Sequence, residues 1–107
     1  MRAAVWASIL AIAGGSAASA QDVGDPDAGH SFAQSLCAKC HAVEAGDSVS
    51  PNSAAPTFDR IANFPGMTAT ALFVVLSNPH RQMPDFIIER DRMRDVVAYL
   101  LTLKRHN

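Results

Sequence analysis

Cys37, Cys40 and His41 stand together as Cys-Ala-Lys-Cys-His, two thiols three positions apart followed at once by an imidazole. Four chemistries compete for such a group. A redox dithiol of the thioredoxin kind sits beside a βαβ pattern, and this chain shows no strand run. A zinc site needs four ligands, usually from a second Cys or His pair at matching spacing; the other histidines, His30, His80 and His106, form no such pair. A disulfide is disfavoured by the awkward geometry of two intervening helical residues. The fourth chemistry is haem attachment, of which Cys-x-x-Cys-His is the c-type signature. Each sulfur adds to one vinyl group of the same porphyrin, and the imidazole is placed to bind iron from the proximal side. These are the only two cysteines, so thioether formation leaves no thiol for a disulfide.

An iron with one histidine needs its opposite face explained. A second strong ligand makes an electron carrier, whereas an open face makes a ligand-binding or catalytic site. The thioethers available are Met67, Met83 and Met93. Met93 falls on the apolar stripe of a helix, where packing explains it. Met67 lies just before a helix cap, where an apolar residue acts as a staple against the next turn. Met83 sits on no periodic apolar face, in a Pro-flanked loop 42 residues after His41. A loop can reach back over the distal face, so Met83 is the expected second ligand.

Export is the expected setting for this chemistry. Met1-Arg2 is a positive start, Ala3 to Ala13 an apolar run, and Ala18-Ser19-Ala20 a small-x-small cleavage pattern. Residues 1–20 read as a secretory signal peptide cut between Ala20 and Gln21, which places the mature protein in the periplasm without a stable membrane insertion. The 87 residues that follow in this chain form one small domain, a size at which an apolar core is marginal and needs a staple. A covalently held haem supplies one. Eight Lys/Arg against ten Asp/Glu remain, too weak a bias for nucleic acid, and there is no basic run interleaved with aromatics. Acids dominate up to Asp59 and bases from Arg60 onward. Solvated faces explain this asymmetry; a dipole orienting the protein on a redox partner is the functional alternative.

The elements that must position these residues are helical. Residues 21–28 read as a loose acidic leader, and the domain proper as 29–107. A first helix from near Gly29 carries Phe32, Ala33 and Leu36 into the attachment motif. Residues 42–56, rich in Ser, Ala, Gly, Pro and Asn, make a loop. A short helix follows from Thr57 to about Asn63, ended by Pro65-Gly66. Thr68 caps a helix from Ala69 to Ser77, and Asn78-Pro79 stops it. After an irregular loop around Met83, a last helix runs from about Glu89 to Lys104, with Met93, Val96, Val97, Leu100 and Leu103 on one stripe. Its charges form a solvated face on which Glu89–Arg92 and Asp91–Arg94 can pair. The fold class is all-α: three to four helices around one haem, with long irregular loops.

From Gly29 to Lys104 the chain resembles the small class I monohaem cytochromes c, particularly short bacterial members. The resemblance rests on Gly29 eight residues before Cys37, the Cys37–His41 motif, Pro56 after a polar loop, Met83-Pro84, and Asp95-Val96-Val97-Ala98-Tyr99-Leu100 in the final helix. It implies His41 and Met83 as axial ligands, and a Pro56 carbonyl accepting a hydrogen bond from His41 Nδ1–H, which orients the imidazole and raises its basicity. It also implies that the first and last helices cross near Gly29 and Tyr99. There are departures. Ala33 stands where many members carry a bulky aromatic, no Tyr or Asn donor to the Met83 sulfur is visible, and no Trp serves the propionates. Arg60, His80 and Arg81 are the basic candidates there.

The expected function is a soluble periplasmic one-electron carrier using one covalent haem c, exchanging electrons with a dehydrogenase donor and an oxidase or other acceptor. It needs no catalytic acid, base or nucleophile, and works as a monomer or a subunit of a small complex. Two alternatives stand beside it: a haem subunit of a periplasmic dehydrogenase, and a small ligand-binding or peroxidatic haem protein with a labile distal Met83.

Overall fold

In the computed structural model the described residues are 3–5, 11, 14, 24–78, 83 and 87–105. The cleavage point, His80, Arg81 and Pro84 lie outside them. Four α-helices follow in order: α1 (Pro26–Leu36), α2 (Phe58–Ala62), α3 (Ala69–Ser77) and α4 (Arg90–Thr102), with a 3-10 turn at Cys37–Lys39 after α1. No strand occurs among the described residues. The chain is all-α.

α1 begins earlier than its apolar pattern indicates. Asp25 is the N-cap, its Oδ1 accepting from the backbone N–H of Asp27 at 2.9 Å and of Ala28 at 3.3 Å, and Pro26 opens the helix. Both residues are start signals: a carboxylate satisfies the orphan N–H groups, and proline has no N–H to leave unpaired. Residues 26–28 are therefore helix, not leader. α2 and α3 start where expected. Thr57 Oγ1 accepts from Arg60 N and Thr68 Oγ1 from Ala71 N, each at 3.1 Å.

α1 and α4 cross at a glycine. A Cβ on Gly29 would lie 1.9 Å from the Asp95 carbonyl oxygen and 2.8 Å from Val96 N, so only glycine permits the approach. The crossing point is Asp95–Val96, one turn before Tyr99. Asp95 is accordingly buried rather than solvated: Oδ1 accepts from the backbone N–H of Asp25 at 2.8 Å, and Oδ2 lies 3.2 Å from Arg92 Nη1. Arg92 thus pairs with Asp95 instead of Glu89, while Asp91 and Arg94 pair at 3.5 Å.

α4 is buried without a break from Asp95 to Leu100, because α1 covers one side and α2 and α3 the other. Its Val96, Val97 and Leu100 join Ala33, Phe58, Ala62 and Leu72 in the core. Complete burial of a side chain such as Leu72 or Val96 stabilises the fold by about 1.5–3 kcal/mol. Ala33 is fully buried and Phe32 packs beside the core. The C-terminal end of α4 is tied to α2 through Asn63, whose Nδ2 donates to the Asp59 carbonyl at 2.8 Å and the Leu103 carbonyl at 3.0 Å, and whose Oδ1 accepts from Arg105 N at 2.7 Å.

Candidate functional site

The Cys37–His41 motif is the exit of α1. Its helix ends on Cys37, and the chain tightens into the 3-10 turn, with Cys40 N and His41 N both donating to the Cys37 carbonyl, at 3.2 and 2.9 Å. Cys37 and Cys40 are not joined in a disulfide. Burial pushes the Cys37 thiol up to about 11, so it is protonated at neutral pH.

The polar loop from 42 to 56 carries no helix, yet its backbone is pinned at several points. Asn52 N donates to the Cys40 carbonyl at 3.1 Å and Phe58 N to the Ala42 carbonyl at 2.9 Å, while buried Ser50 accepts from Ala42 N at 3.0 Å. This wiring brings the Pro56 carbonyl to His41 Nδ1 at 2.6 Å. A carbonyl oxygen only accepts, so Nδ1 carries the proton and Nε2 keeps its lone pair. The Phe58 ring, buried at the start of α2, tilts against the imidazole with centroids 5.6 Å apart.

Beside this imidazole lies a cavity of about 710 Å³, within the ~300–1,000 Å³ range of cofactor clefts. Its wall includes Cys37, His41, Pro56, Met67 and Met83, with Ile61, Leu72, Val96 and Leu100 as apolar lining. Cys40, half-buried at the end of the same turn, is not part of the wall. Ser48, Ser50, Ser53, Thr57 and Arg60 form its polar sector. Met93 lies elsewhere, in the groove between α3 and α4, where its sulfur accepts from the Ser77 hydroxyl at 3.6 Å. Met67 packs against the core, and its carbonyl accepts from Lys104 Nζ at 2.6 Å. The only tyrosine, Tyr99, commits its O–H to the Val43 carbonyl. The residues present fit a haem: an apolar cavity, a thiol in its wall with a second at the end of the same turn, and an imidazole with Nε2 available.

Fold and site together define the class, a small all-α domain with an apolar cofactor cavity walled by an oriented imidazole. The family model for cytochrome C oxidase, cbb3-type, subunit III matches residues 24–100. Cytochrome c-552 of Bradyrhizobium diazoefficiens is 35% identical over 80 residues, covering 73% of this chain and 76% of that protein. No solved structure matches the chain. The chain belongs to the monohaem cytochrome c family of haem-based electron carriers. Among the described residues no helix is long and apolar enough to cross a membrane.

Proposed function

We propose that this protein is a soluble periplasmic one-electron carrier, exported by cleavage after Ala20, with one haem c held through thioethers at Cys37 and Cys40 and ligated by His41 and Met83. The observation that carries the ligand set is the 2.6 Å hydrogen bond from His41 Nδ1–H to the Pro56 carbonyl. It leaves Nε2 as the ligating nitrogen, fixes the ring, and raises its basicity. Met83 supports the other half as a thioether in the cavity wall outside any helix. Bound haem supplies one-electron chemistry at iron, with a neutral thioether favouring the ferrous state relative to a second histidine. The chain's own residues hold the ligands still, keep water out of the apolar wall and present Arg60 at its polar sector.

The test is spectroscopic. Purified protein carries a haem that survives denaturation, and its ferric form shows the methionine–iron charge-transfer band. Met83→Ala abolishes that band. Absence of the band in the native protein, together with rapid carbon monoxide binding to the ferrous form, would instead establish an open distal face. A second role, as the haem subunit of a larger enzyme, is supported by the oxidase-subunit model that matches the chain; co-purification with an oxidase or a dehydrogenase would distinguish it.

A further inference from the structure

Three ring contacts lead from His41 to the protein surface. Phe58 tilts against His41 at 5.6 Å, Tyr99 against Phe58 at 6.4 Å, and His30 stacks on Tyr99 at 4.5 Å with only 14° between their planes. Tyr99 also donates its O–H to the carbonyl of Val43, two residues beyond His41. At the outer end His30 Nε2 lies 2.9 Å from both Glu44 carboxylate oxygens, and the Gln34 amide donates to Oε1 at 2.9 Å. α1, α4 and the loop after the attachment motif therefore meet at one half-exposed imidazole.

Among the described residues, few charged or titratable groups stand near it. On its own helix Asp27 lies one turn before it, the loop contributes Glu44 and Asp47, and α4 contributes Tyr99. Hydrogen bonds from Gln34 and His30 hold the Glu44 carboxyl below its ordinary value. Burial, then the charges of Glu44 and Asp47, push the Tyr99 phenol up. Glu44 stays anionic and Tyr99 neutral around physiological pH, the interval in which a histidine changes charge.

We propose that His30 is a positioning residue for His41 whose proton ties the reduction potential of this carrier to pH. The inference rests on the haem reading of Cys37, Cys40 and His41. Nε2–H is already given to Glu44, so the second proton is taken at Nδ1. The resulting cation sits on the Tyr99 face and against Glu44, strengthening both contacts. Positive charge at the end of this ring chain favours the extra electron on iron. When a redox partner delivers that electron, His30 binds its proton more tightly, because the coupling is reciprocal.

The experiment measures the potential of the haem-loaded protein from about pH 5 to 9, the interval that brackets histidine titration. In the native protein the potential falls through one step as pH rises. His30→Gln removes that step while leaving the Soret and methionine charge-transfer bands in place, and Glu44→Gln moves the step to lower pH. In NMR titrations the His30 ring loses its proton at higher pH in the reduced protein than in the oxidised one. A step that survives His30→Gln, a flat native profile, or equal His30 midpoints in the two redox states overturns the proposal alone. Absence of covalent haem overturns the site reading and this inference with it.

Discussion

The backbone N–H of Asp25 donates to Oδ1 of Asp95 at 2.8 Å, joining positions 70 residues apart. One carboxylate thereby anchors the first turn of α1 to the middle of α4, and its other oxygen receives Arg92. Asp95→Ala leaves the Asp25 N–H without this partner, and the expected loss is about 1–3 kcal/mol. Chemical denaturation of the haem-loaded protein measures it. Asp91→Ala, which removes an 80% exposed partner of Arg94, should stay within about 0.5 kcal/mol of the native value.

Gly29→Ala tests the helix crossing. Its Cβ would fall 1.9 Å from the Asp95 carbonyl oxygen, so the helices must separate, at a cost of about 1–3 kcal/mol or more. The thermal midpoint should drop. Gly46→Ala is a contrast, because no atom lies within 4 Å of its Cβ position and the strain there comes from a φ of +80°.

Met67→Ala separates packing from ligation. The side chain packs against the core, and truncating a buried methionine costs about 2–5 kcal/mol, with partial exposure favouring the lower end. The ferric charge-transfer band should persist. Loss of the band with stability unchanged would make Met67 the ligand and displace Met83.

Acid lability follows from Asp59. The Arg105 guanidinium at 2.7 Å and the Gly46 N–H at 3.1 Å hold its carboxyl below the usual value of 3.8. A carboxyl lowered in the folded state contributes stability that is fully present above its unfolded pKa and is lost as pH falls through the folded one. The contribution should therefore vanish progressively below about pH 4. Asp59→Asn should flatten the part of the stability profile below that point, as measured by urea midpoints across pH.

The helices were legible where sequence carries local signals. Thr57 and Thr68 are caps with apolar periodicity behind them, and both helices start there. Asp25-Pro26 is an equally good start signal, but acidic Gly/Pro composition obscured it. The crossing near Gly29 and Tyr99 was legible, but spacing identifies a contact face and not the turn, Asp95–Val96, that Gly29 itself meets. Asp95 shows the same limit: its type signals solvent, and only the α1 backbone arriving from a distant segment makes it a core residue. The Cys37–His41 motif stands out in the sequence because its residues are contiguous. The ring contacts from His41 through Phe58 and Tyr99 to His30 do not, since they join α1, α2 and α4 with no shared sequence pattern.

The polar loop after the motif has a further consequence. Its hydrogen bonds run from Asn52 to Cys40, from Ala42 to Ser50 and from Phe58 to Ala42, while Pro51 to Ala54 stand exposed at its tip. Doubling the length of a flexible loop costs only about 0.6 kcal/mol in closure entropy. Ser53 and Ala54 at this tip also line the cavity beside His41, so closure entropy is not what sets the loop's length. The length is set by the rim that the loop must supply to the cavity, and an insertion at the tip would disturb the cofactor's seat.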